Sequence, residues 1–178
     1  MHKAWYIISY HNIDWGQNVL SNRIGGTITP IEFRNALDVF HENFEILSPS
    51  DAMNKTLEGQ LKNPVLSIWF DDGLLGVKKY SLEILEKYNI KPGYSICSNF
   101  LLRQDMFWRF KLSYIINTKG VHFLYDRMKK YEYNGRSSLR KFTIDHFSLE
   151  MVSFIDDLYK SCCSKEELIS HYNIYETI

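Results

Sequence analysis

Apolar positions in the first hundred residues fall into two alternating rhythms. Residues 4–10 (AWYIISY) form a short β-rich run and read as a strand. Thr29-Pro30-Ile31-Glu32 then has capping-box form with proline at the first helical position. Phe33, Ala36, Leu37, Phe40 and Phe44 follow at spacings of three and four, which predicts a helix. Residues 44–47 read as a second short strand, and Ser48-Pro49-Ser50-Asp51 opens a second helix. Residues 65–70 are an apolar run, with Ser67 its one polar residue, suited to a strand buried on both faces. After Gly73, the residues Leu74, Val77, Ser81, Ile84, Leu85 and Tyr88 line one helical face that ends at Asn89, before Pro92. Residues 93–97 are a fourth strand.

From Met106 onward the pattern is helical. Phe107, Phe110, Lys111, Tyr114 and Ile115 mark one amphipathic helix, and Met151, Val152, Ile155, Leu158 and Tyr159 mark another. Ser164-Lys-Glu-Glu167 has capping-box form and starts a last short helix ending near His171. Four strands separated by helix-length segments predict βαβ units with a parallel sheet, open or barrel-like. The expected organisation is one domain over 1–178, with a β/α half in 1–100 and a helical extension in 101–178.

Composition narrows the function classes. The chain has 178 residues, and 45% apolar with 15% aromatic residues suffices for a packed core. Basic and acidic residues both number 21, so no net charge argues for nucleic acid or an anionic membrane surface. The apolar run near the N-terminus is too short for a signal h-region or a membrane span, which predicts a cytoplasmic protein. Cys97, Cys162 and Cys163 give neither an even disulfide set nor a zinc spacing, and read as reduced thiols.

The one concentrated piece of chemistry is Ser67-Ile-Trp-Phe-Asp-Asp-Gly73, an apolar strand that runs into two adjacent carboxylates. In parallel α/β sheets the carboxyl ends of the strands form the ligand crevice, and Gly73 permits a sharp exit there. One acid of such a pair can ligate a divalent metal while the other takes a proton from water. Asp-Asp-Gly is also ordinary turn chemistry. An apolar strand, an acid pair, a glycine and then an amphipathic helix make a rarer ensemble than the tripeptide.

That ensemble resembles a known family. "SIWFDDG" followed by "SLEILEKYNIKPGYSICSNFL" is similar to the first motif of the polysaccharide deacetylases, the NodB-homology, family-four carbohydrate esterases. "IISYHNI" resembles their first strand, and "FRNALDVFHENFEILSPSDAM" resembles the helix and strand that follow it. "DMFWRFKLSYIIN" is similar to a helical insert found in a subset linked to surface-polysaccharide synthesis, so the likeness spans roughly residues 4 to 118. It implies a partial (β/α) barrel of the NodB-homology deacetylase type, with about four parallel strands and a helical C-terminal half. It also implies metal-dependent hydrolysis of acetyl groups on a sugar, with zinc the usual cofactor and a carbohydrate as substrate. Carried over by position, Asp71 matches the catalytic base and Asp72 the metal-binding aspartate.

The family's second motif, a His-Ser/Thr-x-x-His pair, has no counterpart. The histidines are His2, His11, His41, His122, His146 and His171, and no two share that spacing. The later arginine-proline, aspartate-tryptophan and leucine-histidine motifs are missing too. A zinc site ordinarily takes three protein ligands, and a lone carboxylate better suits hydrated magnesium or calcium. The expectation is therefore a truncated or divergent member whose open sheet is covered by the helical tail, a second copy or a complementary subunit. The alternative is a non-catalytic sugar- or partner-binding relic of the same fold. His11, the one histidine at a predicted strand end, is the candidate for the rim beside Asp71. His41, His122, His146 and His171 read as solvated or helix-terminal. Trp108, Arg109 and Lys111 carry the chemistry to hold a nucleotide or sugar, but their spacing fits a packed aromatic with solvated neighbours. An aspartyl phosphate is disfavoured because the acids are adjacent and no phosphate loop is present. A glycosidase pair is disfavoured because neighbouring acids do not straddle a glycosidic bond.

Overall fold

The computed structural model describes residues 3–22, 25–131 and 148–175. His2 and His146 lie outside the described residues. The chain divides into two compact units: the first holds Met1–Gly16, Gly26–Leu102 and Ile174–Ile178, and the second holds Gln17–Gly25 and Arg103–Asn173.

The first unit is α/β. Its strands are β1 (Trp5–Tyr10), β2 (Asn12–Ile13), β3 (Thr27–Ile28), β4 (Glu45–Ile46), β5 (Val65–Asp71) and β6 (Gly93–Ser95). Its helices are α1 (Pro30–Asn43), α2 (Pro49–Leu57), α3 (Leu75–Lys87) and α4 (Ser98–Leu101). β5 is the centre of a four-stranded, wholly parallel sheet. β1 pairs along its full length, from Trp5 opposite Val65 to Tyr10 opposite Phe70. The other edge of β5 is shared: β4 pairs with Val65 and Leu66, and β6 pairs with Trp69, Phe70 and Asp71. Among the described residues the sheet is open, with β1 as a free edge and no closed barrel.

Alternation along β5 sorts its side chains onto two faces. Leu66, Ile68 and Phe70 face α1 and α3 in the core with Phe33, Leu37, Val77, Ile84 and Leu85. Tyr10, Phe33 and Phe70 pack with ring centroids 5.2 to 6.1 Å apart, and Phe33 is fully buried. Burying each such ring contributes about 1.5–3 kcal/mol. α1 begins as its sequence predicts: the Thr29 hydroxyl accepts from the Glu32 N–H at 3.2 Å, and the Thr29 N–H donates to Glu32 Oε2 at 2.7 Å. Those bonds hold the Glu32 carboxyl below the ordinary range.

The opposite face carries Val65, Ser67, Trp69 and Asp71. The Trp5 indole donates to the Ser67 hydroxyl, which donates to the Leu47 carbonyl, both at 2.9 Å. Burial on this face is complete at Val65 and Ser67 and only partial at Trp69 and Asp71. The expectation of a strand buried on both faces therefore holds for its first half only. On β1, Ile7 shares this face and is 51% exposed.

The second unit is helical: α5 (Trp108–Lys119), α6 (Val121–Met128), α7 (Leu149–Cys162) and α8 (Lys165–His171). Lys111 is 5% exposed, so it is not the solvated neighbour its helical spacing suggests. Its ammonium bridges Asp105 at 2.7 Å and Asp156 at 2.6 Å, tying α5 to α7. The long apolar stem lets a lysine enter a core when its charge is met there. No helix among the described residues is long and apolar enough to cross a membrane.

Candidate functional site

Asp71 is the last residue of the central strand β5, and Asp72, Gly73 and Leu74 make the turn into α3. Asp72 and Gly73 both have left-handed backbone, with φ of 72° and 68°. Two successive positive φ values reverse the chain within two residues, a conformation that glycine adopts freely and aspartate tolerates better than most residues. Gly73 has a second reason to lack a side chain, because a Cβ would stand 3.1 Å from Ile96 Cγ2. The acids sit just ahead of the α3 N-terminus, where the helix dipole favours negative charge.

The two carboxylates have different surroundings. Oδ2 of Asp71 accepts a hydrogen bond from the Ser9 hydroxyl on the adjacent strand. Oδ2 of Asp72 is sealed from solvent although the residue as a whole is half-buried. Asp71 is thus held in orientation at the end of the sheet by a hydroxyl of the neighbouring strand that engages one of its two oxygens.

His11 directly follows β1, whose last pair is Tyr10 with Phe70, so the register carries it to the same end of the sheet as Asp71. It is half-buried beside Gly26, where a Cβ would lie 3.8 Å from His11 Cβ. The next residue, Asn12, is buried. Its backbone N–H donates to the Gly26 carbonyl at 3.2 Å, and its Nδ2 donates to Thr27 Oγ1 at 3.3 Å. Gly76 in the first turn of α3 comes so near that a Cβ would be 2.3 Å from Asn12 Oδ1. The β2–β3 pair that makes this loop is missing from the sequence reading, because two-residue strands carry no periodicity.

Among the described residues no group of three or more His, Cys, Asp or Glu side chains could hold a metal ion. A zinc site with three protein ligands does not fit these residues. His41 lies on α1 near the Tyr88 ring, and His171 Nδ1 is 2.7 Å from the Tyr159 hydroxyl in the second unit. Burial lowers the His171 pKa. Neither histidine belongs to the rim. The Arg109 guanidinium lies over Phe107 and Trp108, 5.3 and 5.4 Å from the ring centroids. With Lys111 committed to two carboxylates, that trio makes packing and ion-pair contacts within its own unit.

No protein-family model and no curated protein matches the chain. Solved structures do. A Streptococcus pyogenes deacetylase, PplD, in complex with acetate is similar over 60% of this chain and 50% of its own, at 19% identity and a TM-score of 0.48. A de-N-acetylase from Aggregatibacter actinomycetemcomitans is similar over 55% of this chain and 38% of its own, at 20% identity and a TM-score of 0.43. IcaB from Ammonifex degensii is similar over 62% of this chain and 48% of its own, at 18% identity and a TM-score of 0.44. The chain spans half or less of the length of each of these structures. Likenesses this distant decide neither substrate nor activity, which rest on the residues themselves.

Proposed function

We propose that the chain carries the acid-pair portion of a carbohydrate deacetylase site, with Asp71 as the proton acceptor. The observation that carries this reading is the placement of Asp71: it ends the central parallel strand and is oriented by the Ser9 hydroxyl. The motif resemblance around Ser67–Gly73 supports the same assignment. In this reading a sugar acetamide or acetate ester lies across the rim, and water attacks its carbonyl carbon. Asp71 removes the proton from the attacking water. The carbon–nitrogen or carbon–oxygen bond then breaks, and the leaving nitrogen or oxygen takes the proton that Asp71 removed from the water, which returns Asp71 to its starting state as acetate departs. Ser9 acts as a positioning residue that keeps one Asp71 oxygen engaged. Because a three-ligand metal site does not fit the described residues, no step is assigned to a metal.

The test is acetate release from N-acetylated and O-acetylated oligosaccharides, measured for the full chain and for Asp71→Asn. Release that Asp71→Asn abolishes is the expected result. Equal release by both proteins, or none by either, overturns the reading. The lack of a three-ligand group among the described residues favours a second reading, a non-catalytic saccharide binder of the same fold. Saccharide binding without acetate release, unaffected by Asp71→Ala and Asp72→Ala, selects it.

A further inference from the structure

Trp69 lies two residues before Asp71, so alternation puts both side chains on the same face of β5. Its indole is held from two sides. Nε1–H donates to the Ser95 hydroxyl on β6 at 2.6 Å. Beneath the six-membered ring is Gly93, the residue paired with Trp69 across the strands. A Cβ on Gly93 would stand 2.3, 2.4 and 2.8 Å from Cε3, Cζ3 and Cδ2. Three neighbouring ring atoms at such similar distances mean that the Cβ would meet the face of the ring, not its edge. The indole therefore rests one face on a bare glycine backbone.

The other face is the informative one. Trp69 is only half-buried on a strand whose first four residues are fully buried, and no aromatic ring packs on it among the described residues. Around it stand hydrogen-bonding groups: the Ser95 hydroxyl, the exposed Ser9 hydroxyl and the Asp71 carboxylate. An aromatic plane presents a negative quadrupole to the weakly positive axial C–H groups of a pyranose, while neighbouring hydroxyls and a carboxylate meet its equatorial hydroxyls.

A structural role alone, in which a cross-strand tryptophan covers a glycine, explains the Gly93 contact. It does not account for the partial exposure of the ring beside the acid, on a strand whose first four residues are buried. Pinning fixes the plane before a ligand arrives and lowers the ordering cost of binding.

We infer that Trp69 is the stacking platform of a saccharide subsite on the Asp71 face of β5, taking one pyranose ring of an N-acetylated glycan. For the class of ligand this rests on the deacetylase reading, and it adds the residue that holds the sugar. Binding of chitotetraose to the full chain tests it by calorimetry, in an Asp71→Asn background where hydrolysis does not interfere and the amide at 71 still hydrogen-bonds a sugar hydroxyl. Trp69→Phe, which retains a ring, should bind within a fewfold of the parent, and Trp69→Ala should lose about tenfold or more. Gly93→Ala, which drives a methyl into the ring, should weaken binding while Trp69 is still present. Thermal unfolding identifies variants that fail to fold, and Trp69→Phe covers that case. Chitotetraose binding that is unchanged by Trp69→Ala, or absent from the parent, overturns the subsite. Acetate release measured separately on the Asp71 protein distinguishes the two ideas. Ring-dependent binding without acetate release keeps the subsite and removes the deacetylase, whereas release unaffected by Trp69→Ala does the reverse.

Discussion

The Ser9 hydroxyl reaches across two parallel strands to the Asp71 carboxylate, joining residues 62 positions apart in the chain. A serine near the end of β1 thereby orients the acid at the end of β5, and the same geometry makes Ser9 a target for mutation.

Ser9→Ala is expected to lower kcat for acetate release by about tenfold with KM little changed, because a loosened carboxylate spends less time aligned with the attacking water. Ser9→Thr keeps a hydroxyl on Cβ and should recover most of the loss. Steady-state kinetics of the two variants check this. A purely structural role for Ser9 would lower the unfolding midpoint without this split between kcat and KM.

The turn after Asp71 predicts a difference between two substitutions that both delete a carboxylate. Asp72→Ala should be less stable than Asp72→Gly by about 1 kcal/mol, since only glycine is free of strain at φ of 72°. Denaturant unfolding of the pair isolates the backbone contribution, because every side-chain contact is lost in both.

Gly76 reverses a familiar rule. Alanine in a helix interior is ordinarily favoured over glycine by about 1 kcal/mol. Here the added methyl would stand 2.3 Å from Asn12 Oδ1 and 2.5 Å from the Ile13 carbonyl oxygen, which belongs to the backbone and cannot swing aside. Gly76→Ala should therefore destabilise by about 1–3 kcal/mol, read as a lower thermal midpoint.

In the second unit, Lys111→Met should cost about 1 kcal/mol, because it removes the cation shared by Asp105 and Asp156 while Asp105 is solvated and Asp156 keeps Lys160. The effect depends on pH in a definite direction. Burial pushes the Asp156 pKa up, but bonds from Lys111 and Lys160 outweigh it, and the net value lies below the ordinary 3.8. A depressed folded pKa means stability that is complete above 3.8 and lost as the pH falls through the lower folded value. The gap between the parent and Lys111→Met should accordingly narrow in acid, as urea titrations at neutral pH and below pH 3.8 would register.

Much of this organisation is legible in residue order because it rests on short-range rules. The start of α1 is written in Thr29-Pro30-Ile31-Glu32, whose capping bonds close within four residues. The apolar run ending at Phe70, followed by Asp71, Asp72 and Gly73, marks a strand end and a tight turn, since burial alternation and left-handed backbone are properties of neighbours. Parallel pairing follows from helix-length connections between strands. Lys111 was the misleading position: its spacing shares the face of Phe107, Phe110, Tyr114 and Ile115 but its charge argues for solvent, and burial became tolerable only when Asp105 and Asp156 converged on it.

Three other features belong to the tertiary structure alone. Ser9 gains its meaning from a register that sets β1 beside β5, and nothing local to residues 5–10 selects that partner. Gly93 and Ser95 matter because β6 lies against the second half of β5, bringing a bare backbone and a hydroxyl to one indole. The two-residue β2–β3 pair exists because Asn12 is bonded across the loop to Gly26 and Thr27. Periodicity reports which side of an element is buried, whereas contacts between distant segments depend on how those buried sides pack. That packing energy is shared by the whole core and is written in no single stretch of residues.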